Sequence, residues 1–174
     1  GRHQASNALV ALAMLEALPD DLRPDDATVE RGLARVRLPG RFQRVGKYVF
    51  DVAHNPDGSR VLARTLEEAL LPHPVAAVFS VLNDKDWASM MAALAPQVDR
   101  FIVTNTPTAP ASRAWNVIDV LAHARAHGWE AEVVRDFDRA LAKADAEAAT
   151  VVVTGSFHTV GDAMSRLQVS PTAG

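Results

Sequence analysis

The most restrictive feature of this sequence is the regular alternation of apolar runs and amphipathic stretches from residue 41 onward. The apolar runs predict strands near residues 42–45, 48–52, 75–82, 100–104, 130–135 and 150–154. Helices are predicted to begin between them, near residues 57, 86, 113, 137 and 158. Such alternation, with near-continuous apolar strands, predicts a three-layer α/β fold whose six-stranded sheet is mostly parallel and is covered on both faces.

The predicted helices carry apolar stripes at positions i, i+3, i+4 and i+7. Three of them show this spacing: Trp87, Met90, Met91, Leu94; then Val117, Val120, Leu121, Ala124; then Val160, Ala163, Met164, Leu167. Gly128 is predicted to end one of these helices in the left-handed conformation, before the next strand.

The first 37 residues precede this pattern. A helix is predicted over about residues 3–18, a polar turn with two prolines over 19–26, and a second helix over about 27–37. We therefore expect a helical segment at residues 1–37, the α/β domain at residues 38–170 and a short tail at residues 171–174.

Composition excludes several classes of protein. The formal net charge of the 174-residue chain is −3 and no basic face is evident, which argues against a nucleic-acid partner. No apolar run approaches the roughly 18 residues of a membrane span, so no membrane association is expected. The chain has 0 cysteines and hence no disulfides, which is compatible with a reducing compartment, and we expect a cytoplasmic protein.

Polar side chains gather where the predicted strands end. Asp51, His54 and Asn55 follow strand 48–52. Three further strands are followed by "NDKD" (83–86), "TNTPT" (104–108) and "TGSFHT" (154–159). Ligands of open parallel sheets bind beyond the carboxyl ends of the strands. The segments at the opposite ends, such as "LPHP" (71–74) and "AEAAT" (146–150), show no comparable cluster of polar side chains. This asymmetry predicts a ligand site at one edge of the sheet.

Each of these residues also has a structural explanation. Asp84 and Asp86 are either N-caps of the following helix or site residues. Lys85 is a solvated side chain unless a phosphate lies nearby. Ser156 is a cap or a hydroxyl donor, because the Gly-x-Ser-x-Gly frame of a serine nucleophile is absent. The spacing of His54 and His158 does not match a zinc site, so no metal site is predicted.

Asp51 is the strongest indication of a ligand. A carboxylate at the end of a buried strand is costly unless a partner pairs with it. A ribose diol can donate two hydrogen bonds to one carboxylate, each worth roughly 1.5–3 kcal/mol. His54 would then face the phosphates, and the guanidinium of Arg41 is suited to phosphate or to the edge of an adenosine. These residues predict a nucleotide-like anion.

Four motifs in the α/β domain carry a family resemblance: "LPGRFQ" (38–43), "FDVAHNP" (50–56), "LNDKD" (82–86) and "VVTGSFHTV" (152–160). Together they resemble the C-terminal, Rossmann-like domain of folylpolyglutamate synthases, most closely the bacterial bifunctional dihydrofolate synthase/folylpolyglutamate synthases of the Mur-ligase superfamily. The opening "GRHQASNALVAL" resembles the last helix of that family's central ATPase domain.

The resemblance implies an ATP-dependent ligase that uses Mg²⁺. A carboxylate of dihydropteroate, or of a folate glutamyl tail, attacks the γ-phosphate of ATP. The amino group of L-glutamate then attacks the acyl phosphate.

The resemblance also implies roles for individual residues. Asn7 is expected near the adenine, Arg41 at the nucleotide, and Asp51 at the ribose. His54 is expected at the phosphates and the reacting centre, so that Asp51 and His54 form the catalytic pair. The glutamate side of the site is expected to include Ser156, Phe157, His158 and Lys85.

The family's P-loop and magnesium ligands are not in this sequence, so the resemblance implies a C-terminal portion that is inactive without an N-terminal ATPase domain. The apolar face of helix 3–18 would then lack its usual surface, and we expect a dimer or a displaced helix. Two alternatives stay open. One is a peptidoglycan-precursor ligase, against which "FDVAHNP" and "GSFHTV" argue. The other is a free-standing nucleotide-binding regulatory module.

Overall fold

The computed structural model describes residues 2–170, so the predicted tail at residues 171–174 lies outside the described residues. The chain divides into two compact units, Gly1–Leu38 and Pro39–Gly174. Among residues 2–170, each helix is too short or too polar to cross a lipid bilayer.

The first unit contains two helices, α1 (Arg2–Glu16) and α2 (Asp26–Arg35), close to the predicted positions. Asp25 caps α2, because its carboxylate accepts a hydrogen bond from Thr28 N at 2.6 Å. Leu12, Leu15, Val29 and Leu33 contribute to a groove of about 380 Å³ in this unit. Three large apolar side chains of α1 are exposed: Leu9, Val10, Met14.

The described part of the second unit contains the six predicted strands. They are β1 (Gln43–Val45), β2 (Tyr48–Asp51), β3 (Val75–Phe79), β4 (Arg100–Val103), β5 (Ala131–Val133) and β6 (Thr150–Thr154). The strand order in the sheet is β1-β2-β6-β3-β4-β5. β1 pairs with β2 in an antiparallel hairpin, and all other pairs are parallel. The prediction of a mostly parallel six-stranded sheet is confirmed.

Five helices cover the sheet: α3 (Pro56–Ala69), α4 (Trp87–Leu94), α5 (Val117–Ala126), α6 (Phe137–Glu147) and α7 (Phe157–Arg166). Apolar residues of α3, α4 and α5 pack on one face, with Phe79 and Phe101 of the sheet. Those of α6 and α7 pack on the other face, with Val78 and Ile102. Because side chains alternate along a strand, the sheet supplies apolar residues to both layers, as predicted for a three-layer fold.

Two elements differ from the prediction. β3 ends at Phe79, whereas the apolar run continues to Leu82. Residues 80–82 leave the sheet but stay buried. The helix predicted from residue 113 begins at Val117. A 3₁₀ turn, Ala111–Arg113, precedes it, and Asn116 caps the helix proper by accepting from Ile118 N at 3.0 Å.

Candidate functional site

The carboxyl ends of β2, β6 and β3 meet at one edge of the sheet. Asp51 pairs with Thr154, and Thr154 pairs with Phe79, in register. The segments after these strands therefore leave the sheet side by side. Asp51 and Ser156 consequently lie at the same edge, as a shared ligand site requires.

Asp51 is 8% exposed, and its carboxylate binds the backbone. One oxygen accepts from Phe42 N at 2.9 Å and the other from Ala53 N at 2.9 Å. The first contact secures the turn that carries Arg41, in which Gly40 and Phe42 have positive φ angles of 66° and 50°. A carboxylate offers about four acceptor positions, so capacity for a ligand remains. The ribose role of Asp51 stays a prediction, and the structure adds a role in holding this turn.

The pKa values of two acids at this edge move in opposite directions. Burial raises the pKa of Asp51 above its ordinary value of 3.8, against the backbone hydrogen bonds and Arg41, which lower it. Hydrogen bonds from Arg113, and then from Lys85, lower the pKa of Asp84 to about 2. We expect carboxyl-carbon NMR titrations to place the Asp51 midpoint above 3.8 and the Asp84 midpoint near 2.

The raised pKa of Asp51 determines how its contribution to folding stability changes with pH. The folded state holds this proton more tightly than the unfolded chain. Asp51 therefore favours folding below pH 3.8, and this contribution is lost as the pH rises through the folded pKa. An Asp51 midpoint below 3.8 would show that the backbone hydrogen bonds and Arg41 outweigh burial.

His54 lies between the end of β2 and the start of α3. Its Nδ1 atom is 3.0 Å from Val52 O, and its ring centroid is 5.4 Å from that of Phe157. The helix begins here because Asn55 accepts a hydrogen bond from a first-turn N–H at 2.8 Å and Pro56 supplies a helical φ angle. The strand end and the capped helix together fix the position of His54.

A cavity of about 270 Å³ opens at this edge and is lined by His54, Leu82, Lys85, Arg113, Gly155, Ser156, Phe157 and His158. It brings together five of the predicted site residues: His54, Lys85, Ser156, Phe157, His158. Asp51 and Arg41 are not part of its lining. The guanidinium carbon of Arg41 is nevertheless 6.0 Å from the centre of the Phe157 ring, which is 59% exposed.

The predicted adenine contact, Asn7, lies in the first unit. There its side-chain amide donates to Gln4 Oε1 at 3.2 Å. Its role toward a nucleotide stays a prediction.

Two cations line the cavity and share one acid. Lys85 Nζ lies 3.0 Å from Asp84 Oδ2, and Arg113 donates to Asp84 Oδ1 at 2.6 Å. The backbone joins the same loops, because Asn83 N donates to Arg113 O at 3.0 Å. Sequence reasoning did not single out Arg113, which lies 29 residues from Asp84. The available signal was a basic residue in the segment after β4.

Ser156 is the N-cap of α7 and is buried. Its Oγ accepts from Thr159 N at 3.1 Å and lies 2.7 Å from Thr159 Oγ1. The Thr159 hydroxyl donates to Ser80 O at 2.7 Å, so the proton between the two hydroxyls comes from Ser156. The cap alternative for Ser156 is thus confirmed, and its hydroxyl proton is directed into the protein rather than toward the cavity.

Contacts also decide between the two alternatives for Asp84 and Asp86. Asp86 caps α4 by accepting from Ser89 N at 3.1 Å, whereas Asp84 bonds to Lys85 and Arg113 and is not a cap. Among residues 4–170, whose side chains the structure describes, no three His, Asp or Glu residues come together in a way that could hold a metal ion.

Comparison with known families matches this second unit. The family described as "Mur ligase, glutamate ligase domain" matches residues 40–157. The dihydrofolate synthase/folylpolyglutamate synthase of Escherichia coli K12 is 33% identical over 171 residues, which are 97% of this chain and 39% of that protein. The Mycobacterium tuberculosis enzyme of the same name is 36% identical over 190 residues, covering 94% of this chain and 38% of that protein.

Solved structures give the same result. Escherichia coli FolC in complex with DHPP and ADP has a TM-score of 0.80 and 32% identity, over 93% of this chain and 38% of that one. Mycobacterium tuberculosis folylpolyglutamate synthase complexed with ADP has a TM-score of 0.81 and 33% identity, over 98% and 41%. A bifunctional enzyme from Yersinia pestis, complexed with AMPPNP and Mn ion, has a TM-score of 0.76 and 34% identity, over 91% and 38%.

This chain thus spans about 39% of the length of the Escherichia coli relative. The family match covers more than half of this chain and includes His54, Lys85, Arg113 and Ser156. The family predicted from the four motifs is confirmed. The chain belongs to the Mur ligase family, through its glutamate ligase domain.

Proposed function

We propose that this chain is the C-terminal part of an ATP-dependent ligase that adds L-glutamate to dihydropteroate and to folate glutamyl tails. In this reaction a substrate carboxylate attacks the γ-phosphorus of ATP, and ADP leaves. The glutamate nitrogen then attacks the acyl phosphate, loses a proton and forms the amide as phosphate departs. Such chemistry depends on positioning and on neutralising phosphate charge.

The cavity lined by Lys85 and Arg113 is the observation that carries the proposal. Its volume of about 270 Å³ is below the roughly 300–1,000 Å³ of pockets for drug-sized ligands, so it suits a small metabolite. Two cations and the N-terminus of α7 favour an anion there. A dicarboxylic amino acid such as L-glutamate matches this size and charge.

The nucleotide is proposed to bind beside this cavity, next to the turn that carries Arg41. Asp51 would accept from the ribose with its remaining lone pairs, and the exposed guanidinium of Arg41 would contact the phosphates or the adenosine. His54 borders both regions and would face the reacting phosphate. The relatives bound to ADP, and to AMPPNP with Mn, support a nucleotide with a divalent cation, Mg²⁺ in this proposal.

The residues that hold the divalent cation are proposed to lie in an N-terminal ATPase domain, which would be the partner of this chain. The exposed side chains of Leu9, Val10 and Met14 support this arrangement, because an apolar helix face requires a covering surface. In the chain alone a second copy would supply that surface, giving the dimer predicted from the sequence.

Removal of either cation tests the proposal. Lys85→Ala and Arg113→Ala should each weaken L-glutamate binding roughly 10- to 100-fold, the effect of losing one hydrogen bond between charged groups. Isothermal titration calorimetry of this chain measures the affinity.

Lys47→Ala is the matched control. Lys47 is also a lysine, but it pairs with Asp145 at 3.1 Å, at the opposite edge of the sheet. We expect this variant to bind L-glutamate like the original chain. Equal affinities for all four proteins, or no binding of L-glutamate to any of them, would contradict the assignment of the cavity.

A further inference from the structure

The two histidines that line the cavity have the same ring nitrogen occupied. His54 Nδ1 lies 3.0 Å from Val52 O. Because a carbonyl oxygen only accepts, Nδ1 carries the proton. In the neutral ring the other nitrogen, Nε2, then holds an unshared lone pair.

His158 also carries its proton on Nδ1, and two further residues, Thr108 and Asp162, determine this. Its Nδ1 lies 3.0 Å from Thr108 Oγ1, a group that can donate or accept. Asp162 decides between these roles, since its Oδ2 accepts from the Thr108 hydroxyl at 3.1 Å and from Thr108 N at 3.0 Å. With its only proton directed to Asp162, the Thr108 hydroxyl accepts from His158 Nδ1–H. The lone pair of His158 is therefore also on Nε2.

The position of Asp162 allows it to set the direction of the hydrogen bonds between Thr108 and His158. It is 6% exposed, lies one turn along α7 from His158, and anchors both the backbone and the hydroxyl of Thr108. Thr108 itself is the last residue of the polar segment "TNTPT" (104–108), which follows β4. A buried carboxylate thus fixes the tautomer of an imidazole at the cavity wall.

The lining of the cavity consequently includes both donors and acceptors. Lys85 and Arg113 offer only donors, whereas His54 and His158, in their neutral form, each offer an acceptor nitrogen. A carboxylate alone would need the donors only. A ligand that carries both a carboxylate and an ammonium group would use both.

We propose that the Nε2 atom of His158 accepts a hydrogen bond from the ammonium group of the amino-acid substrate, and that Thr108 and Asp162 are positioning residues for His158. This inference rests on the proposed function, because it assigns the amino end of the same ligand. It predicts that Thr108 governs recognition of the ammonium group and leaves recognition of the carboxylates unchanged.

Two variants of this chain separate the hydroxyl from the shape of the side chain. Thr108→Val removes the hydroxyl and keeps both the shape and the backbone bond to Asp162. Thr108→Ser retains the hydroxyl. Nitrogen NMR reports the tautomer, in a pH series that is carried up to the plateau of the neutral rings. We expect His158 to shift toward the Nε2–H form in Thr108→Val and to keep the original form in Thr108→Ser. His54, whose partner is a carbonyl, should not change in either variant.

Affinity is then compared for L-glutamate and for glutarate, which keeps both carboxylates and lacks the ammonium group. Thr108→Val should weaken L-glutamate roughly tenfold and glutarate not at all, and Thr108→Ser should restore L-glutamate binding. An unchanged His158 tautomer in Thr108→Val would overturn the positioning role of Thr108. An equal loss for both ligands would show a merely structural role. Failure of both ligands to bind the original chain would refute the proposed function and the ammonium site, while the His158 tautomer would still decide the positioning role of Thr108.

Discussion

The Gly155→Ala variant is expected to lose about 3–5 kcal/mol of the free energy of unfolding. Gly155 has a φ angle of 111°, a conformation that residues with a Cβ atom rarely adopt. A Cβ atom at this position would lie 2.4 Å from Ser80 O and 3.1 Å from Val81 Cγ1. The first of these atoms is backbone where β3 ends, and it cannot rotate away. Relief would require separating β6 from β3, where Ser80 N donates to Thr154 O at 3.3 Å.

Urea denaturation measures this loss, and the melting temperature should fall by roughly 10 °C. Gly161→Ala is the matched control, because Gly161 lies inside α7 and a Cβ there would meet nothing within 4 Å. It should gain about 0.5–1 kcal/mol from better helix propensity. A Gly155→Ala variant within about 1 kcal/mol of the original chain, well below the expected strain, would show that the two strands can separate easily.

The second large effect is expected at Asp51. Asp51→Ala should reduce the free energy of unfolding by about 2–4 kcal/mol, since it leaves the N–H groups of Phe42 and Ala53 without their acceptor. If Asp51 also holds the ribose, as proposed, ADP affinity of the folded chain should fall roughly tenfold or more. Urea denaturation and calorimetry with ADP, at a temperature where the variant is folded, measure the two effects separately.

Asp57→Ala is the control for this substitution. Asp57 lies six residues further along, in the first turn of α3, and forms an exposed ion pair with Arg60. Surface pairs of this kind contribute little, so a change within about 0.5 kcal/mol is expected. A stability loss at Asp51 without loss of ADP affinity would assign the carboxylate to the fold alone, whereas loss of affinity without loss of stability would show that water replaces it at the turn.

The strands and helices were predictable because burial on both faces leaves long apolar runs, which few other folds require. The errors occurred where that signal continues outside the sheet. Val81 and Leu82 are as apolar as a strand, but they are buried in the loop beneath the cavity. The segment before α5 is held by tertiary contacts, among them Trp115 Nε1 donating to Thr104 O at 3.0 Å, and periodicity does not report such contacts.

The candidate site shows the same division. His54, Lys85 and Ser156 could be predicted because they follow strand ends, and parallel topology places those ends together. Arg113 and Asp162 could not, because they reach the site through pairings across 29 and 54 residues. Thr108 lies in a predicted polar segment, but its link to His158 and Asp162 was not predicted. The tautomer of His158 depends on the geometry of three side chains, which sequence spacing does not contain.

The acid shared by the two cations also affects how an anion would enter and leave. Asp84 is a resident counter-ion for Lys85 and Arg113. An incoming carboxylate would therefore exchange with an internal one instead of meeting bare charges, and its net gain in free energy would be smaller. When that anion departs, Asp84 would pair with both cations again. The internal counter-ion would therefore lower the affinity for an anionic ligand and would speed the exchange of one ligand for the next.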